Sequence, residues 1–440
     1  MYRVNAPAVY VEDVVAKNPA YMAKVERVVA ALEKPVTPVV YSEADLPGLV
    51  AGGLLSGRGT MGLKATVPDP VLLFNTFKFD FERQARLDRL AAAGLEKPAR
   101  LDAVLGHCAF NWANYNKEGD PYRNDKVCRP CWRVHQQSGC LHKCSYCGLG
   151  GLLIAGVNTD EYCHWFGKLI EKHPWQLTYL LDDDADPPGL EPELGCLGEL
   201  IEYFGTLKNR YLIIHTKTWN TEWMRNLKHN GNTILVWSIS GPTQCRLIEP
   251  NTGTTDERIE AARIAQEAGY QIRYKIKPIV PVKGWREDAA YTAKRIFERT
   301  NPDVISICCF MWTNYNDLRG KLPLDLLEPE YLAAAEAAQE AMKETITRPF
   351  PQSVRAEIYR HHLHEIRRWN QTIPVSMSTE TFAIWKELGP EFGFKAGEYP
   401  CGCGPFTVPG APRVECNPFV TAERLDNGEI PCCLPPFPKS

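Results

Sequence analysis

Residues 139–150 read Gly139-Cys-Leu-His-Lys-Cys-Ser-Tyr-Cys-Gly-Leu-Gly150 and place Cys140, Cys144 and Cys147 in a CxxxCxxC pattern. Three thiolates are one fewer than a closed zinc site or a fully ligated cubane iron–sulfur cluster requires. The pattern predicts a [4Fe–4S] cluster in which one iron has no protein ligand and can bind and reduce a cofactor. A structural zinc knuckle with a fourth ligand, or three unrelated buried thiols, are the alternatives.

Composition limits the class of protein. The chain has 440 residues, a net charge of −3 and 16 cysteines. This length can bury an enzyme-sized core, and the small net charge gives no global attraction to nucleic acid or to an anionic membrane. Apolar runs such as residues 151–156 are too short to span a bilayer, and the first residues lack an apolar signal core. We therefore expect a cytoplasmic protein whose cysteines favour metal–sulfur ligation over disulfides.

Short β-rich runs alternate with helical patterns between residues 133 and 309, which is typical of β/α units around a parallel sheet. The predicted strands cover residues 175–181, 211–215, 233–240, 271–279 and 304–310, with a first strand that leads into Cys140. The predicted helices between them cover residues 197–204, 221–229, 255–268 and 289–299. Six strands predict an α/β fold with a partial (β/α)6 TIM-like barrel, in which reactive groups gather at the carboxyl ends of the strands.

The pattern divides the chain into four regions. We expect an N-terminal α/β extension (1–104), the partial barrel (105–310), a helical C-terminal region (311–396) and a tail rich in Cys, Pro and Gly (397–440). Outside the barrel the predicted helices cover residues 19–32, 81–93, 330–345, 354–369 and 379–388. A tail of this composition does not build its own core, so a bound metal or docking onto the barrel must hold it.

Four stretches of the barrel region are similar to a known family. They are His215-Thr-Lys-Thr-Trp219, residues 228–240, the stretch from Ile248 to Ala262, and residues 268–285, with weaker similarity at residues 8–12 and 355–385. Together with the cysteine triplet they resemble the spore photoproduct lyase branch of the radical S-adenosylmethionine (SAM) enzymes. The resemblance implies a partial β/α barrel, a [4Fe–4S] cluster on the triplet, and SAM as the compound that chelates the open iron.

The resemblance also implies positions for SAM-binding side chains. It places Lys217 and Ser238 near the methionine carboxylate, Tyr146 and the strand end at Ile279 near the adenine, and Asp183 near the amino group. These roles fit the chemistry, because Lys and Ser donate hydrogen bonds to a carboxylate and Asp accepts them from an ammonium. A solvated lysine at 217 and a helix-capping turn at residues 182–184 are the alternatives.

The resemblance departs from the family at the hydrogen donor. Members that repair thymine lesions carry a cysteine that aligns near Asp183 here, and Cys196 lies too far along the chain, inside a predicted helix. We therefore predict modification or rearrangement of the substrate rather than lesion repair. The catalytic hydrogen donor stays unassigned. Side chains with abstractable hydrogens, for which core packing is the preferred interpretation, are Tyr315, Cys308, Cys309 and Cys245.

The remaining cysteines allow a second metal site. An auxiliary cluster or zinc ion could use the C-terminal cysteines Cys401, Cys403, Cys416, Cys432 and Cys433. The pair Cys128 and Cys131 could join that site or form its own, with a redox disulfide between them as the alternative. The neighbouring Cys432 and Cys433 could instead bind a soft metalloid.

One local feature bears on the substrate. Residues 348–369 are net positive, and Arg360, His364 and Arg367 share one face at helical spacing. Such a helix could follow phosphates while a base enters the barrel, or it could pack on the core with a solvated basic face. Three functions remain open: a radical SAM enzyme acting on a nucleobase in DNA or RNA, one acting on a small molecule or peptide, and a non-enzymatic metal–sulfur or nucleic-acid-binding protein. Either enzyme would need an external electron donor of the flavodoxin or ferredoxin type.

Overall fold

The computed structural model describes residues 1–55, 67–95, 100–113, 126–128, 130–342 and 348–410, and the backbone of residues 433–434. These residues contain fourteen strands and fourteen α-helices. The strands are β1 (Val9–Glu12), β2 (Val39–Tyr41), β3 (Val71–Asn75), β4 (Phe110–Ala113), β5 (Cys131–Val134), β6 (Gln137–Ser138), β7 (Leu152–Gly156), β8 (Thr178–Leu181), β9 (Tyr211–Thr216), β10 (Thr233–Ile239), β11 (Gln271–Ile279), β12 (Ile305–Cys309), β13 (Val375–Met377) and β14 (Cys433–Leu434).

The helices lie between and around these strands. They are α1 (Asp13–Lys17), α2 (Pro19–Ala30), α3 (Leu46–Ala51), α4 (Arg83–Ala92), α5 (Leu101–Val104), α6 (Thr159–Lys172), α7 (Cys196–Gly205), α8 (Pro242–Ile248), α9 (Thr255–Glu267), α10 (Trp285–Arg299), α11 (Tyr315–Lys321), α12 (Pro329–Ala337), α13 (Gln352–Trp369) and α14 (Phe382–Phe392). Among the described helices, none combines the length and the apolar character that crossing a bilayer demands.

A large sheet has the strand order β13-β12-β11-β10-β9-β8-β5-β4-β14. The seven strands from β5 to β13 are parallel neighbours, and β4 runs antiparallel to β5. Strands such as β8 and β12 are buried along their whole length, as is typical of a parallel sheet covered on both faces. The mixed α/β class and the parallel sheet are therefore confirmed.

A second sheet, with the order β2-β1-β3-β7-β6, lies at the N-terminal part of the chain. Strand β7, from the sequence-assigned barrel region, pairs in parallel with β3, and β6 pairs antiparallel with β7. Two short strands precede Cys140: β5 of the large sheet, which takes the place of the predicted first strand, and β6 of this second sheet, which leads directly into the cysteine loop.

Two expectations about local structure were wrong. The predicted helix at residues 221–229 is only a short 3-10 turn, Glu222–Met224, because the Met224 carbonyl accepts from the Tyr270 hydroxyl (3.0 Å) and Asn230 turns the chain toward β10 with a positive φ. The region predicted as purely helical contributes β13, which pairs with β12 at the edge of the large sheet. Helix α9 begins where predicted, at a capping box formed by Thr254 and Glu257.

Alternation along the strands divides the large sheet into two faces. One face packs into the main core with residues such as Leu181, Ile214 and Trp237. We call the opposite face the inner face. Its side chains, assigned by strand alternation, are Cys131, Arg133, His135, Thr178, Leu180, Ile213, His215, Ile234, Val236, Ser238, Arg273, Lys275, Lys277, Ser306 and Cys308. The inner face is therefore rich in cations and thiols, around a small apolar centre on β8, β9 and β10.

Candidate functional site

The cysteine loop begins at Gly139, directly after β6. Gly139 has φ +107°, and a Cβ there would lie 2.0 Å from the Leu152 carbonyl oxygen, so glycine is required. Its N–H donates to the Asp184 carbonyl (2.8 Å), and the Ser145 N–H donates to the Ile248 carbonyl (2.9 Å). These bonds hold the loop against the carboxyl end of β8 and against the end of α8.

The three thiols are partly or fully enclosed. Cys144 is buried, and burial raises the pKa of its thiol to about 12, although the nearby Lys217 ammonium opposes this. The sulfur of Cys140 accepts from the His142 N–H and that of Cys147 from the Leu149 N–H, both at 3.4 Å. Backbone N–H groups that donate to a ligand sulfur in this way help to set the reduction potential of an iron–sulfur cluster.

The spacing of the sulfurs tests which metal group they fit. Two thiolates on one zinc ion, each about 2.3 Å from it, lie at most about 4.6 Å apart. Among the described His, Cys, Asp and Glu residues, one triad has its ligand atoms all within 4.8 Å of one another, and it does not include Cys140, Cys144 or Cys147. The three sulfurs are therefore not arranged around a single zinc ion here, and a donor set of three thiolates suits a [4Fe–4S] cluster that keeps one iron open.

Asp186 links the loop to β9. It is buried, and its carboxylate lies 2.7 Å from the His142 Nε2 atom and accepts from the Thr216 hydroxyl and the Lys217 N–H, both at 2.7 Å. Burial raises the pKa of Asp186, but the His142 charge and these hydrogen bonds outweigh it and hold the pKa below its usual value. The other ring nitrogen of His142 is 2.5 Å from the Asn251 carbonyl. Because both partners only accept, the ring donates at both nitrogens.

Glu249 is the centre of a buried cluster at the carboxyl ends of β9 and β10. Its carboxylate has no exposed surface and accepts from five side chains. The donors are Tyr146 OH (2.7 Å), Ser240 Oγ (2.6 Å), Gln244 Nε2 (3.0 Å), Lys217 Nζ (3.1 Å) and Arg258 Nη2 (2.7 Å). We call these six residues the Glu249 cluster. Burial raises the pKa of Glu249, but Lys217 and Arg258 outweigh it and hold the pKa far below its usual value.

Four of the predicted SAM-binding residues lie in or beside this cluster. Tyr146 and Lys217 belong to it, with the Lys217 ammonium 5.8 Å from the centre of the Tyr146 ring. The Ser238 carbonyl accepts from Arg258 Nη1 (2.9 Å). Ile279 ends β11, and its carbonyl accepts from Phe310 N–H (2.9 Å), whose ring meets that of Tyr146 edge to face.

Asp183 lies elsewhere. Its exposed carboxylate forms an ion pair with Arg133 of β5. With His135 and Asp184 it makes the triad whose ligand atoms lie within 4.8 Å. The two ring nitrogens of His135 already contact Asp182 (2.9 Å) and Asn111 (2.8 Å), so no metal is needed to explain the arrangement.

Sequence reasoning assigned no role to four residues of the site: His142, Gln244, Glu249 and Arg258. A signal was present, since Glu249 and Arg258 lie in the family-like stretch from Ile248 to Ala262, and His142 lies between two of the cysteines. Nothing in one sequence shows that Glu249 and Arg258 meet.

Helix α13 does not offer a free basic face. Arg348 and Arg355 are only 2% and 4% exposed and both pair with Glu380. Arg360 pairs with two glutamates of α14, and Arg367 donates to the Ile373 carbonyl (2.8 Å). These pairings favour the core-packed alternative, and phosphate binding along this helix stays a prediction.

The candidate hydrogen donors are scattered. Cys245 lies 3.3 Å from Arg258 Nη2, Cys308 is on the inner face, and the Tyr315 hydroxyl donates to Glu336. Cys196 packs in the N-terminal core, 3.6 Å from the Lys24 ammonium.

The C-terminal cysteines are only partly visible. Cys401 and Cys403 are described, whereas Cys416, Cys432 and the side chain of Cys433 lie outside the described residues. Cys403 lies on the inner face, where its sulfur is 3.5 Å from the Lys275 ammonium. A hydrogen bond from Cys401 and the Lys275 charge hold the pKa of Cys403 well below its usual value, against the effect of burial.

Comparison with known proteins agrees with this arrangement. Residues 131–310 match the family described as spore photoproduct lyase. The spore photoproduct lyase of Clostridium acetobutylicum is 28% identical over 185 residues, which is 40% of this chain and 54% of that protein. That of Bacillus subtilis is 27% identical over 174 residues, 38% of this chain and 51% of that protein. The chain thus spans about half the length of the curated relatives it matches.

Solved structures show the same fold. A spore photoproduct lyase variant with bound AdoMet and dinucleoside spore photoproduct superposes with a TM-score of 0.54 at 15% identity, covering 85% of this chain and 98% of that one. Spore photoproduct lyase complexed with dinucleoside spore photoproduct gives a TM-score of 0.57 at 15% identity, with the same coverage. With the cysteine loop and the Glu249 cluster both inside or beside the matched region, residues 131–310 of this chain are similar to the spore photoproduct lyase family.

Proposed function

We propose that this chain is an enzyme that cleaves SAM by one-electron reduction and uses the radical to take a hydrogen atom from a substrate. The observation that carries the proposal is the contact of the CxxxCxxC loop with the Glu249 cluster at the carboxyl ends of β9 and β10. A [4Fe–4S] cluster with SAM supplies the reductive cleavage and the 5′-deoxyadenosyl radical. The chain's own part is to hold both groups, with Cys140, Cys144 and Cys147 as the iron ligands.

The Glu249 cluster supports binding of SAM. The Lys217 ammonium donates one N–H to Glu249 and has two further N–H donors for the methionine carboxylate of SAM. The Ser238 hydroxyl can donate to the same carboxylate. The Tyr146 ring, fixed through its hydroxyl, offers an apolar face beside Ile279 for the adenine. Asp183 is proposed for the amino group, and its ion pair with Arg133 would have to open for that role.

We propose further that the large sheet curves into a partial barrel around the inner face. Val127, four residues before β5, donates to the carbonyl of Glu380, three residues after β13 (2.7 Å). Six strand spacings separate β5 from β13, which is about 29 Å in a flat sheet. The four residues before β5 and the three after β13, fully extended, together reach only about 25 Å. Curvature explains this contact. The division into regions 1–104, 105–310, 311–396 and 397–440 stays a prediction.

For the substrate, we propose a nucleobase in DNA or RNA that is modified or rearranged rather than repaired. Support comes from the dinucleoside bound by the solved spore photoproduct lyases, and from the half-buried Lys277 on the inner face, whose ammonium suits an anionic backbone. Position 183 is aspartate, so the cysteine of the lesion-repairing relatives has no counterpart there. A small molecule or peptide is the second candidate, favoured by the internally paired arginines of α13.

The test is anaerobic reconstitution of the full chain with iron and sulfide, followed by reduction with dithionite or flavodoxin in the presence of SAM. We expect 5′-deoxyadenosine from the wild type and from the Cys163→Ala control, and none from Cys144→Ala. Faster release with an added oligonucleotide supports the nucleobase proposal, and an unchanged rate supports the second candidate. Absence of 5′-deoxyadenosine from iron-loaded, reduced protein would contradict the enzymatic function.

A further inference from the structure

The C-terminal segment 401–408 is anchored across the amino-terminal half of the inner face. Arg273, which has no exposed surface, donates to the carbonyls of Thr407 and Val408, both at 2.8 Å, and to that of Gly402 at 3.5 Å. The Leu177 N–H donates to the Pro405 carbonyl (2.9 Å). Arg273 also pairs with Asp303 (2.7 Å), which in turn accepts from the Gly410 N–H (2.9 Å). Together these bonds fix the path of the segment, so Cys401 and Cys403 have a built position.

A second pair of cysteines reaches the same place from β5. Val134 of β5 is in register with Leu181 of β8, and the same register sets Cys131 opposite Thr178. The Thr178 hydroxyl donates to the Gly404 carbonyl, directly after Cys403. The CxxC pair at residues 128–131 and the CxC pair at residues 401–403 therefore meet, although about 270 residues of sequence separate them.

The thiols also lie near one another and near a buried lysine. The Lys275 ammonium is 3.5 Å from the Cys403 sulfur and within electrostatic range of Cys401, Cys308 and Cys128. Cys131 in turn lies within electrostatic range of Cys128 and Cys403. The Cys308 thiol already lies 3.6 Å from the Met311 sulfur and from the Thr379 hydroxyl, which leaves four thiols on one side of β11 beside Lys275.

We propose that Cys128, Cys131, Cys401 and Cys403 are the four ligands of a second iron–sulfur cluster, on the inner face and separate from the CxxxCxxC loop. Four thiolates complete the ligand set of a cubane or rhombic cluster, so this site leaves no iron open for SAM. As in the loop, no three of these sulfurs lie within 4.8 Å of one another in the described part of the chain. That spacing is too wide for one zinc ion.

The charges around the four thiols favour an anionic cluster. Lys275, Lys277 and Arg133 point to the same face, and the Lys275 ammonium is 3.5 Å from the Cys403 sulfur. The buried Lys275 and the half-buried Lys277 lie two residues apart on this face of β11, so their like charges repel and favour anions between them. A cluster with four thiolate ligands carries net negative charge and supplies them. The site differs from the purely C-terminal set expected from sequence, because it draws half of its ligands from the start of β5.

The test removes the three cysteine ligands of the loop and measures how much iron the chain still binds. The full-length variant Cys140→Ala/Cys144→Ala/Cys147→Ala is reconstituted anaerobically with ⁵⁷Fe and sulfide, freed of loose iron, and examined by elemental analysis and Mössbauer spectroscopy. We expect about four irons in this variant for a cubane or about two for a rhombic cluster, and about four more in the wild type. Adding Cys128→Ala and Cys403→Ala should remove the residual iron, while adding Cys163→Ala instead should leave it.

Retention of native circular dichroism by each variant excludes unfolding as the cause of iron loss. A triple variant that holds no iron, or that holds stoichiometric zinc in place of iron, would overturn the proposal. So would residual iron that survives loss of Cys128 and Cys403. The inference is independent of the proposed function, since this variant cannot cleave SAM and the count needs no turnover.

Discussion

Glu249→Gln should destabilise the protein far more than the same change elsewhere. The carboxylate and the Arg258 guanidinium are both without exposed surface and lie 2.7 Å apart. Removing one partner of a buried ion pair leaves the other charge uncompensated, which costs about 3–5 kcal/mol. The glutamine keeps one acceptor oxygen for five donors, and its amide N–H groups face Lys217 and Arg258, so relaxation cannot recover the lost pairing.

Glu260→Gln is the matched control. Glu260 also pairs with two arginines, Arg263 and Arg299, but it is 39% exposed. Exposed pairs contribute at most about 1 kcal/mol. The free energy of unfolding is measured by urea denaturation followed by circular dichroism, on both variants without cofactors. A loss for Glu249→Gln no larger than that for Glu260→Gln would refute the idea that a buried charge cluster organises this site.

Three further predictions concern the loop, a helix start and the tail. Gly139→Ala should lower the free energy of unfolding by about 1–3 kcal/mol and abolish iron loading by the loop, because residue 139 has a left-handed φ and a Cβ there would lie 2.0 Å from the Leu152 carbonyl oxygen. Gly231→Ala is the control, since Gly231 has φ +76° and open space around it. Equal iron loading by the two variants would contradict this prediction. Burial raises the pKa of Glu191 to about 7, against hydrogen bonds from two backbone N–H groups of α7. The folded state then keeps a proton that the unfolded state releases above about pH 4.5, so the stability of the wild type falls as pH rises toward 7. In urea titrations, the free energy of unfolding of Glu191→Gln should gain roughly 3 kcal/mol relative to that of the wild type across this pH range. A difference between the two proteins that does not change with pH would be the contrary result. Arg273→Met should free the 401–408 segment, seen as faster limited proteolysis near residue 405, whereas unchanged cleavage would show that the arginine is not the anchor.

Much of the large sheet could be predicted because its signals are local. Strand β11 has the bounds that the apolar pattern predicts, and α9 starts at its capping box. Strand β7 was missed although residues 152–156 are all buried, because a short apolar run does not reveal which sheet it joins. The β3 partner lies about 80 residues earlier.

The site was harder to predict than the fold, because its chemistry depends on long-range pairs. The cysteine triplet is contiguous and could be identified, and Lys217 and Tyr146 followed from the family resemblance. Their shared partner Glu249 is 32 residues from Lys217 and 103 from Tyr146. The acidic partners of the basic stretch in α13 could not be predicted for the same reason, since Glu380 and Glu391 come from later elements.

The central claim is that the CxxxCxxC loop holds a cluster with an iron open to SAM. The most direct measurement is electron–nuclear double resonance on the reduced, reconstituted chain with SAM labelled by ¹⁵N at the amino group and ¹⁷O at the carboxylate, with Cys147→Ala as control. We predict hyperfine coupling to both labels in the wild type and to neither in the variant. A reduced cluster whose spectrum does not change when labelled SAM is added would contradict the account.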